Sequence, residues 1–352
     1  MALYSQVANL PVLFQIETGS IHKIAKYLKD KNLRFRRVLI VSGASFSANV
    51  AKSMLDGPKA SKWQHLVIES NSTDEADRLQ AYVFQNAIDL LVAVGGGKVL
   101  DVAKRVSLLQ RVNQLAVPTI ISNDGIASPI SVLRKSDGKT TSLAAQTPIG
   151  VIVDVDIVRN APRKYWQAAA GDILSNASSS NDWMLARDQL GEPVDDTALE
   201  MSILAVNSLL NYGEASLELD RYVRQIVHSL FCSGVAMGIT GSSRPCSGSE
   251  HMISHAIDYL GLSPDTLHGI QVGSATLFTL HLQRQLRPEA IAFAKSWNIP
   301  LLFSQLSPDV ERELEQIFDI ARDMRPGRYT VLDRFSPDQL MQEYRGFSST
   351  VV

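Results

Sequence analysis

The chain has 352 residues, 45% hydrophobic and 20% charged, which is enough for two domains with cores of their own. With 34 basic and 36 acidic residues the formal net charge is −2, and the absence of a long basic run argues against nucleic acid or a membrane surface as partner. Two cysteines, Cys232 and Cys246, cannot build a disulfide framework, and no segment reads as a signal peptide or a membrane span, so a cytoplasmic setting is expected.

The first half alternates short β-branched runs with helical patterns. Residues 37–42 read as a buried strand, followed by a helix through Ala48, Ala51 and Leu55. Residues 65–68 read as a second strand, and 73–85 as a helix capped by Ser72 or Thr73. Residues 89–94 are the most apolar strand and run straight into Gly95-Gly96-Gly97; 115–119 and 151–154 complete the set. This alternation predicts an α/β domain over residues 1–160, built on a parallel, dinucleotide-binding sheet.

At the glycine run a strand ends and a helix opens. Three glycines let the backbone approach a diphosphate, and the helix N-terminus supplies free N–H groups and a favourable dipole. The spacing matches neither the usual Rossmann fingerprint nor the P-loop, and a tight strand-to-helix turn is the other reading. A second loop, residues 118–129, also follows a strand and carries Thr119, Ser122, Asp124 and Ser128 where strand ends line a crevice. An Asx or Ser turn before a hairpin accounts for its Asp124-Gly125 alone.

After about Asn160 the β pattern stops. Helical spacing is predicted over 163–186, 196–212, 217–237, 249–260, 267–284 and 309–324, giving an all-α second domain over 161–352 with metal and substrate in the interdomain cleft. Three of the seven histidines, His251, His255 and His268, lie within eighteen residues of this half. His251 and His255 share a helix face, His268 opens the next helical run, and Asp172 upstream offers a carboxylate. Imidazoles with one carboxylate form a ligand set for a divalent metal with an open coordination position, which suits catalysis.

The stretches GGGKVLDVAK, PTIISNDGIASP, GDILSNASSSNDWMLA, SSRPCSGSEHMISHAID, LHGIQVG and RPGRYTVL occur in the order that resembles sn-glycerol-1-phosphate dehydrogenases, within the superfamily of iron-type alcohol dehydrogenases, glycerol dehydrogenase and dehydroquinate synthase. The resemblance implies Asp172, His251 and His268 as metal ligands, with zinc usual and iron or nickel compatible. It implies Asp124, His255 and Asp172 as substrate-contacting, catalytic positions. Gly95, Gly96, Gly97, Lys98, Val99, Leu100, Asp101, Thr119, Ile120, Ile121, Ser122 and Ser128 fall on NAD(P) positions. The implied activity is NAD(P)H-dependent interconversion of dihydroxyacetone phosphate and sn-glycerol 1-phosphate, in glycerophospholipid backbone synthesis, by a homo-oligomer. Asn176, four residues after Asp172, stands where this branch often has Lys and iron-type enzymes a ligand His. It keeps open a polyol dehydrogenase on an unphosphorylated substrate, and more remotely a carbon–oxygen lyase of the dehydroquinate-synthase type.

For the phosphate, Arg244 in a loop with Ser242, Ser243, Ser247 and Ser249 offers a guanidinium fork, and a domain-interface ion pair is its other reading. His255 is expected as a proton relay or substrate hydrogen bonder, or as an orienting neighbour. The Ser42-Gly43-Ala44-Ser45 turn has no carboxylate to exclude a 2′-phosphate, so both NADH and NADPH are expected to serve. Glu250, Asp182-Trp183 and Glu214 read as packing or capping groups, and Cys232 as a small buried hydrophobe. His22, His65, His228 and His281 are assigned no role.

Overall fold

The computed structural model describes residues 10–55, 63–211 and 219–351; the expectations for Tyr212, Glu214 and Leu217 fall outside them. The described residues form two compact units, one reaching Ala161 and including Leu219–Arg224, the other starting at Pro162 and resuming at Gln225.

In the first unit the strands are β1 (Leu13–Glu17), β2 (Val38–Ser42), β3 (Gln64–Val67), β4 (Leu90–Gly95), β5 (Asn113–Pro118), β6 (Ile130–Arg134), β7 (Thr140–Ala144) and β8 (Gly150–Asp154). Six of them pair in parallel in the order β1-β8-β5-β4-β2-β3, while β6 and β7 make a separate antiparallel hairpin. Leu90 to Val94 have no exposed surface, as a strand covered on both faces requires. The helices are α1 (Ile24–Asp30), α2 (Phe46–Leu55), α3 (Thr73–Gln85), α4 (Gly97–Gln110) and α5 (Val155–Val158). Ser72 caps α3, its hydroxyl accepting from the Glu75 amide at 3.2 Å. From β2 the chain moves outward to β3, and from β4 it moves the opposite way to β5. Between β2 and β4 the topology therefore switches direction, and there open α/β sheets bind ligands at their strand ends.

Sequence patterning marks no strand at β1 or at β7, for related reasons, although a hairpin after Asp124-Gly125 is one of its readings. The edge strand β1 is fully buried only at Leu13, and β7 is the mostly polar TTSLA, with none of its residues fully buried. Neither shows the continuous apolar run of a central strand.

From Pro162 onward the structure is helical: α6 (Arg163–Leu190), α7 (Asp196–Leu210), α8 (Leu219–Thr240), α9 (Ser249–Leu260), α10 (His268–Leu282), α11 (Pro288–Ser296), α12 (Pro308–Arg312), α13 (Leu314–Ala321) and α14 (Pro337–Val351). The 28-residue α6 is buried almost all round between Trp166 and Trp183, and small residues permit this. At Gly171, Gly269 and Gly273, α6 and α10 meet backbone to backbone, and a Cβ on Gly273 would stand 2.8 Å from the Gly171 Cα. The predicted helix over 309–324 is two helices, α12 and α13, interrupted at Glu313. Helices α11 and α14 lie outside the predicted set. α14 supplies Tyr344 and Phe347 to an aromatic cluster with Phe278, Phe303 and Phe318. Cys246 is buried, whereas Cys232 is partly exposed rather than buried; both are free thiols.

Candidate active site

Asp172 on α6, His251 on α9 and His268 at the first turn of α10 converge. Each offers a ligand atom within 4.8 Å of the other two. The α6–α10 glycine contact sets this geometry, because Gly171 and Gly269 are the immediate neighbours of Asp172 and His268. Burial pushes His251 well below its ordinary pKa, with His268, Arg325 and Arg328 adding to the effect. His268 is lowered chiefly by burial, with Asp258 acting the other way. Both imidazoles are thus neutral, the form in which they donate a lone pair to a cation.

Their orientation is set from behind. Glu250 Oε1 lies 2.8 Å from His251 Nδ1 and also accepts from the Gly248 amide at 2.6 Å. The Ser254 hydroxyl donates its one proton to Gln271 Oε1 at 2.8 Å, so it faces His268 Nδ1, 3.2 Å away, as an acceptor. Gln271 is itself oriented by donating to Asp258 Oδ1 at 3.1 Å and Ser263 O at 3.3 Å. Both Nδ1 atoms carry their hydrogens toward these partners and leave Nε2 as donor, the arrangement typical of metal-ligating histidine. Two imidazoles and one carboxylate held this way fit a divalent cation. A second grouping, His255, Asp258 and His268, shares His268, but its Asp258 is exposed and already accepts from Gln271.

Glu250 was not legible as an orienting group: adjacent helical residues normally diverge. Here, at the first turn of α9, its carboxylate curls back onto the open amide end and its neighbour's ring. Asp182 acts at the same helix end, accepting from the Ser249 amide (2.7 Å), the Val331 amide (2.8 Å) and Gln283 Nε2 (2.9 Å).

His255 stacks on His268 with ring centroids 5.6 Å apart and planes at 17°. Its Nε2 accepts from Arg325 Nη2 at 3.3 Å, and burial first, then His268 and Arg325, holds its pKa well below the ordinary value. A neutral ring that accepts at Nε2 keeps a hydrogen on Nδ1.

Arg244 forms an ion pair, but inside the helical unit and not at an interface between domains. Its Nε and Nη2 bind Glu192 at 2.8 and 3.2 Å, and Nη2 also donates to Tyr329 O and Asp182 O. Its Nη1 is buried without a hydrogen-bond partner. The serine-rich loop is instead reached by Arg328, which donates to Ser247 O at 2.6 Å and Ser243 Oγ at 3.1 Å. Asn176 donates to Ser202 O (3.2 Å) and Ser233 Oγ (2.8 Å), tying α6 to α7 and α8. Asn176 thus serves the packing of these helices.

In the first unit, the loops after β2, β4 and β5 lie side by side at the strand ends. Thr119 N donates to Gly95 O at 3.0 Å, and a Cβ on Gly43 would lie 3.4 Å from Val99 Cγ2. The amides of Val99 and Leu100 turn to Gly96 O (3.0 and 3.2 Å) and their side chains are buried. The first-turn donors left for a ligand are thus those of Gly97 and Lys98, and Gly97 borders open space. Ile121 is fully buried and Ile120 packs beneath Gly96. Ser122 is partly buried in the same loop. Asp101 points away from this edge: its carboxylate pairs with Lys104 Nζ at 2.9 Å and accepts from the Val132 amide at 3.2 Å, clasping α4 to the hairpin. Lys104, fully buried, also donates to Ser128 Oγ and Ile130 O. In the loop Asn123 makes an Asx turn onto the Gly125 amide at 3.0 Å, and the hairpin follows, so that local reading holds. Beside it, burial pushes Asp124 up to about 6, with Lys104 lowering it and Asp101 raising it. At the Ser42–Ser45 turn, Ser42 Oγ meets His65 Nε2 at 2.8 Å and Ser45 takes a left-handed φ of 64°.

This fold has known counterparts. Residues 15–162 match the family profile of iron-containing alcohol dehydrogenases. The whole chain superposes on a probable glycerol dehydrogenase of Sinorhizobium meliloti 1021 with a TM-score of 0.78, at 22% identity, covering 98% of this chain and 99% of that one. Glycerol dehydrogenase of Schizosaccharomyces pombe gives 0.79 at 18% identity, over 99% and 91%. In sequence the chain is 35% identical to glycerol-1-phosphate dehydrogenase (NAD(P)+) of Methanothermobacter thermautotrophicus over 92% of each chain. It is 31% identical to the enzyme of that name from Archaeoglobus fulgidus, over 94% of this chain and 95% of that one. The chain belongs to the glycerol-1-phosphate dehydrogenase family.

Proposed function

We propose that this protein interconverts dihydroxyacetone phosphate and sn-glycerol 1-phosphate with NAD(P)H as hydride donor, using one divalent metal, zinc by preference, held by Asp172, His251 and His268. The observation that carries the reading is the convergence of these three residues, with both histidines tied back through Nδ1, in a chain matched nearly end to end by glycerol-1-phosphate dehydrogenases.

When bound, such a cation supplies Lewis acidity toward a ketone oxygen, and a nicotinamide supplies hydride. The protein's own residues bind and orient. The Gly97 and Lys98 amides and the α4 dipole suit a dinucleotide diphosphate, with Thr119, Ser122 and Ser128 contributing hydroxyls from the neighbouring loop. Asp124 and His255 take the substrate's hydroxyl and carbonyl end, His255 through its Nδ1–H. The absence of a carboxylate at the Ser42–Ser45 turn supports use of both NADH and NADPH. The reading carries with it a cytoplasmic homo-oligomer; among the described residues no helix is long and apolar enough to cross a membrane.

Steady-state NAD(P)H oxidation tests it, with dihydroxyacetone phosphate and dihydroxyacetone compared. The phosphorylated ketone should be turned over with the higher kcat/KM, chelation should abolish turnover, and one divalent ion per chain should restore it. Preference for dihydroxyacetone, or full activity in metal-free protein, would reject the proposal.

A further inference from the structure

The segment Arg325-Pro326-Gly327-Arg328 forms a tight turn. Arg328 N donates to Arg325 O at 3.1 Å, and Gly327 has φ +82°. Proline at the second position and a positive-φ glycine at the third are the signature of a type II turn, which brings its first and last Cα atoms within about 7 Å. Both arginines address the same region as the candidate metal ligands. Arg325 donates to His255, and His255 stacks on His268. Arg328 fastens the loop that leads into α9, and its charge is felt at His251 and His255.

Three guanidinium groups, Arg244, Arg325 and Arg328, are gathered in this region. Arg244 has its counterion in Glu192, whereas Arg328 makes its hydrogen bonds to neutral oxygens of Ser247 and Ser243. Nearby carboxylates have other partners: Glu250 serves His251 and the Gly248 amide, and Asp182 serves the Ser249 and Val331 amides. Burial first, then Arg244 and Arg325, press the Arg328 guanidinium down to about 10, with Glu250 and Glu192 acting the other way. A half-buried guanidinium fork with a second one at the other end of the same turn suits a doubly charged oxyanion.

We propose that Arg325 and Arg328, set at the two ends of this Pro-Gly turn, form the grip for the substrate's phosphate group, a role that sequence reading gave to Arg244. The proposal rests on the function proposed above and deepens it: selectivity for a phosphorylated ketone comes from the RPGR turn.

The test compares kcat/KM on dihydroxyacetone phosphate with that on dihydroxyacetone, for wild type, Arg328→Ala, Arg328→Lys and Arg244→Ala. Arg328→Ala should lower the ratio about 100-fold or more, as expected for truncating a charged hydrogen-bond partner. Inhibition by inorganic phosphate, competitive with the phosphorylated ketone, should weaken at least about tenfold. Arg328→Lys keeps the charge but not the fork, so it should lose about tenfold in the ratio; it also serves if the alanine variant does not fold. Arg244→Ala should lower both substrates alike through lost stability. An unchanged ratio in both Arg328 variants, or a loss confined to the phosphorylated ketone in Arg244→Ala, overturns the assignment while leaving the proposed function standing. A wild-type preference for dihydroxyacetone overturns both.

Discussion

Gly171 on α6 and Gly269 on α10 touch through their backbones: a Cβ on Gly171 would fall on the Gly269 carbonyl oxygen, and one on Gly269 would fall on the Ala168 carbonyl. Each glycine adjoins a candidate ligand, Asp172 or His268, so this contact sets the separation of two donors that lie far apart in sequence.

Gly171→Ala or Gly269→Ala should therefore act twice. Forcing the helices apart should cost about 1–3 kcal/mol or more of stability, as overpacking does. It should also loosen zinc, because the donors must stay within a few tenths of an ångström of ideal. Thermal unfolding and zinc titration against a competing chelator measure the two effects. A variant that loses stability yet binds zinc normally would show that the glycine contact does not set the site.

Glu250 makes a sharper case, since it is not among the proposed ligands. Glu250→Ala removes the group that faces His251 Nδ1, and metal affinity should fall by about 10–100-fold. Glu250→Gln keeps an acceptor oxygen and should lose less. Chelator competition reads both. Equal affinity in all three proteins would make Glu250 a cap for the Gly248 amide and nothing more.

The glycine run admits a graded test of dinucleotide approach. A Cβ on Gly95 would meet Val99 Cγ2 at 2.5 Å and one on Gly96 would meet Ile120 Cδ1 at 2.8 Å, whereas Gly97 borders open space. Gly95→Ala should thus destabilise the fold. Gly97→Val should fold normally, retain metal, and weaken NADH binding by about tenfold or more through blocked approach to the diphosphate. Fluorescence titration with NADH checks this, and unchanged binding by a folded Gly97→Val protein would move the diphosphate elsewhere.

Asp124 gives a pH signature. Its folded pKa of about 6 lies above the ordinary aspartate value, so the folded state holds the proton more tightly than the unfolded one. Its contribution to stability is consequently greatest in acid and declines as pH rises from about 4 to 6. Where the ionised carboxylate holds substrate, kcat/KM should fall as pH drops through about 6. Because Lys104 lowers the Asp124 pKa, Lys104→Met should shift that acid limb to higher pH. The same change leaves Asp101 without its cation and should cost several kcal/mol of stability. A limb that stays put in Lys104→Met would belong to another group.

How much of this was legible beforehand depends on where each signal lies along the chain. Central strands such as β4 announce themselves, because burial on both faces demands an unbroken apolar run. The convergence of Asp172, His251 and His268 was legible because His251 and His268 bracket a helix and the loop after it and the motifs around them are distinctive. What escaped are contacts made by side chains reaching across the fold. Lys104 looks like an ordinary exposed helical lysine, yet it is fully buried against Asp101. Arg244 and Arg328 are interchangeable on chemistry alone, and only the placement of Glu192 separates the paired guanidinium from the other. The RPGR stretch marked itself only as one of the motifs of the resemblance, and nothing local says which loop its arginines reach.

The parallel edge of the first unit also bears on how the chain is made. Among the described residues β1 has its one sheet neighbour in β8, with Leu13 opposite Gly150, so β1 once synthesised must wait for most of the unit before it can pair. At about 5–20 residues per second that interval is on the order of ten seconds, during which an apolar segment stays open to wrong neighbours and to chaperones. The Asp154 carboxylate that closes β8 accepts from the Gly19 and Ile21 amides just beyond β1, so a single late residue latches a segment made long before it.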